Sequence, residues 1–168
     1  DSRQKEKFQK NLLKWYAVHQ LILPWRLQSP NPYYTWISEI MLQQTTVATV
    51  ISYFERFIRR WPTLSNLSTA SLDDVLHLWQ GLGYYSRARN LHRCAREVME
   101  KFGGIFPFEE EALKSLPGIG DYTAAAIRAI AFQKPAIVVD GNIERIMSRL
   151  FRVQDPLPCS KTLLKEYA

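Results

Sequence analysis

Leu116-Pro117-Gly118-Ile119-Gly120 is the stretch on which the reading of this chain turns. The apolar run before it (Ala112, Leu113, Leu116) and the alanine-rich run after it (Ala124, Ala125, Ala126, Ile127, Ala129, Ile130) predict a helix, a hairpin and a second helix over 112–133. Gly118 and Gly120 permit positive φ and the close approach of another molecule's backbone. The unpaired N–H groups that open the second helix suit phosphate oxygens. Further on, Val138 and Val139 lead into Asp140-Gly141-Asn142 at the start of another helix. This places a carboxylate one helix away from a phosphate clamp. A proline and two glycines also make a plain joint between packed helices, so the hairpin alone leaves both readings open.

Composition narrows the choice. At 168 residues and 46% hydrophobic content, the chain suits one domain or two small lobes sharing a core. A net charge of +6 and a pI near 9.4 favour an anionic partner. Arginines cluster at 56, 59 and 60, at 87, 89, 93 and 96, and at 145, 149 and 152, although such runs also describe solvated helix faces. Cys94 and Cys159 stand far apart and outside any metal-ligand spacing, so neither a disulfide framework nor a zinc site is suggested and a reducing compartment is expected. No run approaches the ~18 to 20 apolar residues of a membrane span, and the charged opening 1–7 is unlike a signal peptide. The expectation is a soluble, intracellular protein with no membrane partner. The first residue is not Met and Ala168 falls inside a predicted helix that includes 162–167, so the chain reads as a piece of something longer.

Outward from the hairpin the pattern is helical throughout. Phe8, Leu12, Trp15 and Tyr16 recur at helical spacing and predict an amphipathic helix over about 4–19, whose apolar face needs a partner. Pro24, Pro30, Asn31 and Pro32 break it, with Trp25 and Arg26 between them: either a plug at the edge of the core or a ligand contact. Residues 35–45 predict a short helix with Trp36, Ile37, Ile40 and Met41 inside and Glu39 in their midst. That carboxylate either faces solvent from a half-buried helix or sits in an apolar pocket, where desolvation raises its pKa and fits it to donate a proton. Gln43, Gln44 and Thr45 end the helix with groups able to read a base edge or to face water. Val47, Val50, Ile51, Phe54, Phe57, Ile58 and Trp61 trace a core stripe over 46–61; a short helix follows over 72–79. Gly81-Leu82-Gly83-Tyr84-Tyr85 forms a second glycine-bracketed turn before a basic helix from 86 to about 101. Its tyrosines suit either a wedge into a base stack or ordinary packing. No stretch alternates at strand period for a useful length, which predicts an all-α architecture with short connections and no internal repeat.

In this order these residues resemble the helix-hairpin-helix superfamily of base-excision DNA glycosylases, and within it the adenine DNA glycosylases of the MutY type. The matching stretches are Leu23 to Arg26, Ser38 to Thr45, Leu78 to Asn90, Leu116 to Ile127 and Val139 to Arg145, which together span nearly the whole chain. The resemblance implies a helix-hairpin-helix glycosylase fold with its C-terminal part missing. It implies a helix and loop over 1–28 that belong with the absent lobe, a helical barrel over 29–135 and an incomplete return over 136–168. It makes Glu39 the acid that protonates the extruded adenine, Asp140 the carboxylate that stabilises positive charge on the sugar, and Asn142 the group that places Asp140. Asp140 also reads as an N-cap, and both roles can hold at once. Breaking an N-glycosidic bond calls for such a pair, one group protonating the leaving base and one staying ionised near the sugar.

By the same resemblance Trp25, Arg26, Leu42, Val47 and Tyr122 line the adenine pocket. Gln44 and Tyr84 enter the DNA stack, Arg87 contacts DNA, and Gly118, Ile119 and Gly120 bind backbone phosphate, because a base buried in a duplex must be extruded and its space filled. Position 122 discriminates among superfamily members. The strand-cutting endonuclease III type carries a lysine there for a Schiff base, whereas this chain has Tyr122, so a monofunctional glycosylase leaving an abasic site is expected. The alternatives are an endonuclease III-like lyase on oxidised pyrimidines, or a catalytically incomplete fragment that only binds duplex. The implied substrate is double-stranded DNA with adenine opposite 8-oxoguanine or guanine, bound by a monomer. A 4Fe-4S cluster is expected of the full-length family member, but its cysteine ligands are absent from this chain, where no metal ligand is assigned. The implied location is a bacterial cytoplasm at the nucleoid, or a nucleus or mitochondrion.

Overall fold

In the computed structural model, which describes residues 2–27 and 30–168, ten α-helices and one 3₁₀ turn follow one another, with no strand among the described residues. The most buried of these helices is α2 (Pro32–Leu42). Asn31 caps it, accepting from the N–H groups of Tyr33 (2.9 Å) and Tyr34 (3.4 Å), and Pro32 occupies a position where no N–H is needed. Tyr33 and every residue from Thr35 to Met41 are buried. Burying side chains such as Trp36, Ile37 and Met41 contributes roughly 1.5–3 kcal/mol each. The Tyr33 hydroxyl donates to the carbonyl of Trp61 at 2.8 Å and so pins α2 to the end of α3 (Val47–Arg60).

Around α2 pack α3, α6 (Ser86–Phe102) and α8 (Asp121–Ile130). The stripe expected on α3 is core: Val50, Phe54, Phe57 and Trp61 are buried, with Val47, Ile51 and Ile58 half-buried beside them. Edge-on aromatic contacts such as Phe57–Trp61 (4.8 Å) and Trp25–Phe54 (5.3 Å) tie its face together. The helix α4 (Leu64–Ser68) was not expected. Its signals were Thr63, which caps Asn66, and the Leu64/Leu67 pair that buries one face near α6. In a polar run of five residues they are easily passed over. The helix α5 (Leu72–Trp79) precedes the Gly81–Tyr84 turn as expected.

The predicted helix-hairpin-helix is present as α7 (Glu110–Lys114), the turn 115–120 and α8. An ion pair between Glu110 and Arg128 at 2.7 Å braces its two helices. Ile119 N–H bonds to the Leu116 carbonyl at 3.2 Å, and Gly118 sits at φ +78° between them, the signature of a type II turn led by Pro117. A Cβ at Gly118 would also lie 3.0 Å from Asn90 Cβ, a tight contact added to the strain of the positive φ. Gly120 differs from expectation: at φ −96° it needs no glycine freedom, and it is the residue from which α8 springs without a side-chain cap.

At either end the chain stands away from this core. In α1 (Ser2–His19) the amphipathic pattern is present, but every residue from 3 to 22 is exposed, including Phe8, Leu12, Trp15 and Tyr16. Leu23 and Trp25 re-enter the core at the 3₁₀ turn Pro24–Arg26. The domain boundary expected between 28 and 29 lies outside the described residues. At the other end α9 (Gly141–Leu150) and α10 (Lys161–Tyr167) pack mainly on each other, with Phe151 and Tyr167 stacked 4.1 Å apart.

Candidate active site

Glu39 emerges from the last buried turn of α2 into a cavity of about 770 Å³. Glu39 is 9% exposed, and its pKa is raised by burial, while the Tyr122 hydroxyl and the Arg26 cation pull it down. An amphipathic helix would have placed this residue in solvent; the nearly all-round burial of α2 withholds it. Tyr122, from the first turn of α8, is pushed up to about 12 by its own burial and then by the Glu39 and Asp140 charges, so its hydroxyl stays protonated and donates. Arg26 is held from behind: its Nη1 donates to the Tyr16 hydroxyl of α1 at 3.1 Å.

Asp140 reaches the same cavity from the end of the extended segment before α9. It caps that helix, with Oδ1 accepting from the N–H groups of Asn142 (3.0 Å) and Ile143 (2.9 Å). Oδ2 accepts from Asn142 Nδ2 at 3.0 Å, and Asn142 Oδ1 is in turn held by Arg145 Nη2 at 3.1 Å. The helix cap and the carboxylate held by Asn142 are therefore the same group. Gly141 lines the wall beside it.

The opposite wall carries Leu42, Gln43 and Gln44 from the end of α2, and Tyr84, Ser86 and Arg87 from the turn that opens α6. Gln44 and Tyr84 are exposed and left-handed, at φ +56° and +48°. Non-glycine residues adopt that conformation at a cost and cluster at functional sites. Sequence reasoning had passed over Ser86, and also the contact of Tyr16 with Arg26, for which a separation of ten residues across a turn gives no signal.

Three expectations need correction. Trp25 is buried edge-on against Phe54 and Val47 is packed on the core, so neither is among the side chains lining the cavity. Arg87 is not a surface cation. It is 8% exposed, and backbone carbonyls occupy its guanidinium because α6 starts directly behind the end of α2. Ile119 anchors the hairpin from within, at 5% exposure, with its N–H already spent on Leu116.

Among the described residues no group of three or more His, Cys, Asp or Glu side chains could hold a metal ion. An iron–sulfur cluster takes about four thiolates, whereas Cys94 is buried on α6 with its thiol pKa pushed far up, and Cys159 lies exposed before α10. These residues do not fit such a cluster.

Residues 37–166 match the model of the family described as HhH-GPD superfamily base excision DNA repair protein. A rat protein named adenine DNA glycosylase is 49% identical over 151 residues, covering 85% of this chain and 29% of its own length. A Buchnera aphidicola protein of the same name is 47% identical over 147 residues, covering 87% of this chain and 42% of its own length. The chain thus spans less than half of these relatives. A solved thermostable thymine-DNA glycosylase superposes with a TM-score of 0.84 at 26% identity, over 99% of this chain and 80% of that one. Hairpin, capped aspartate, buried glutamate and these likenesses agree, and the chain belongs to the HhH-GPD superfamily of base excision DNA repair proteins.

Proposed function

We propose that this chain is the catalytic portion of a monofunctional adenine DNA glycosylase, hydrolysing the N-glycosidic bond of adenine opposite 8-oxoguanine or guanine and leaving an abasic site. The observation that carries this reading is one cavity holding both a desolvated carboxyl, Glu39, and a triply hydrogen-bonded carboxylate, Asp140, with no lysine among the described residues that line it. In the reaction Glu39 delivers its proton to the leaving base while Asp140 sets negative charge beside the oxocarbenium-like sugar, and water completes the hydrolysis. Tyr122 holds Glu39 in place but offers no amine for a Schiff base. The adenine specificity rests on the two relatives named adenine DNA glycosylase.

Duplex DNA meets the chain at the hairpin, where the uncapped N-terminus of α8 receives backbone phosphate, and at Gln44 and Tyr84, which fill the space of the extruded base. One copy of the chain suffices. In the longer protein, segments outside these residues cover the apolar face of α1 and supply the ligands of any iron–sulfur cluster. Such an enzyme works where the DNA is, at the nucleoid of a bacterium or in a nucleus or mitochondrion.

The test is single-turnover adenine release from duplexes with adenine opposite 8-oxoguanine or guanine, scored as strand cleavage before and after alkali. Cleavage only after alkali is expected. Cleavage without alkali together with borohydride trapping would make the chain a lyase instead. Tight, salt-sensitive binding with no release would leave a DNA-binding fragment.

A further inference from the structure

Arg87 lies where the two DNA-facing loops meet. Its Nη1 is within reach of the carbonyls of Ile40 (3.1 Å), Met41 (3.0 Å) and Gln43 (2.6 Å), which end α2. Its Nη2 donates to the carbonyls of Leu82 (2.9 Å) and Gly83 (3.2 Å), in the turn before α6. One planar fork thus joins carbonyls at a helix end and in a tight turn, of which Gln43 also accepts from Thr45 Oγ1 (3.3 Å) and Gly83 from Trp79 Nε1 (3.2 Å), a task that the three donors of a lysine ammonium do not match. The next residue along each loop, Gln44 after Gln43 and Tyr84 after Gly83, is a non-glycine residue held in the left-handed region, and in the second loop Gly81 and Gly83 share that region. Such conformations persist only where the surroundings over-determine them, and the Arg87 guanidinium also lies 5.5 Å from the Tyr84 ring centre.

We propose that Arg87 is a positioning residue that fastens the loop after α2 and the Gly81–Tyr84 turn into one rigid edge, so that Gln44 and Tyr84 enter the duplex as a unit. Arg87 itself touches no DNA. The inference rests on the glycosylase reading above.

Its test is Arg87→Lys, which keeps the charge and loses the fork. Amide hydrogen exchange without DNA is expected to quicken at 43–46 and 81–85 while the interior of α6 stays protected. With DNA, the slope of log binding constant against log salt should be unchanged, whereas loss of a phosphate contact would lower it by about 0.9. Single-turnover release from a duplex with a paired adenine should fall by about 10²-fold. Release should return to near the wild-type rate when the adenine lies opposite an abasic gap, where little unstacking is required; a merely destabilised protein would show no such rescue. Unchanged exchange in the two loops, a reduced salt slope, or equal loss on both substrates would each overturn the inference. If the wild-type chain releases no adenine, the glycosylase reading fails while the exchange measurement still decides the clamp. If Arg87→Lys does not fold, the cycle of Gln44→Ala, Tyr84→Ala and the double variant replaces it. Coupled losses support a single edge, and additive ones refute it.

Discussion

Two carboxylates share one cavity, and their surroundings differ in nearly every respect. Glu39 stands on the most buried helix of the molecule, where desolvation favours its neutral, proton-bearing form. Asp140 stands half-exposed at a helix start, where two backbone N–H groups and one amide converge on its charge. On the glycosylase reading proposed above, surroundings and not residue type divide the labour between the two carboxylates. Tyr122 lines the same cavity, and its pKa, pushed up to about 12 by burial and then by the charges of Glu39 and Asp140, keeps its hydroxyl protonated.

The largest expected effect comes from removing the donor. Glu39→Gln should slow single-turnover release by about 10²- to 10⁴-fold, while its duplex affinity stays near that of the wild type. The same variant should melt higher than the wild type. Because the folded pKa of Glu39 is raised, the wild type has full stability below the ordinary carboxylate value and loses some as pH rises through the raised one. The gap in melting temperature should widen over that window, and a constant gap would deny that burial shifts Glu39.

Next in size, Asp140→Asn should cost about 10²- to 10³-fold in rate with little change in melting, since Asn caps a helix as well as Asp. Asp140→Ala should add a loss of about 1 kcal/mol in stability. Lower melting of the Ala variant alone separates the cap from the carboxylate; equal melting of the two would deny the cap. The smallest effect concerns the hairpin: Gly118→Ala, forced into the left-handed region and against Asn90, should cost about 1 kcal/mol and weaken duplex binding. Gly120→Ala should leave folding unchanged, since a Cβ there meets nothing within 4 Å.

Periodicity made most of the fold legible. Long stripes such as Val50, Phe54 and Phe57 announce themselves, and the hairpin followed by Asp140 pointed to the cavity that Asp140 lines with Glu39. What stayed hidden is what sequence separation conceals. Arg87 sits in a run of arginines that reads as a solvated basic face, and only the approach of α2, more than forty residues earlier, turns it inward. Glu39 left two readings open because a helix buried on nearly all sides has no polar face to assign. Gly118 and Gly120 look alike in sequence, and only the backbone shows that one needs to be glycine.

The most direct measurement is the pH dependence of single-turnover adenine release by the wild-type chain and by Glu39→Gln, on the same duplex. If Glu39 is the buried donor, the wild-type rate is expected to decline as pH rises through a value above the ordinary carboxylate range, and the slow Gln variant to lack that limb. A wild-type profile flat across that range, or the same decline in both proteins, would contradict the assignment of Glu39 as the acid.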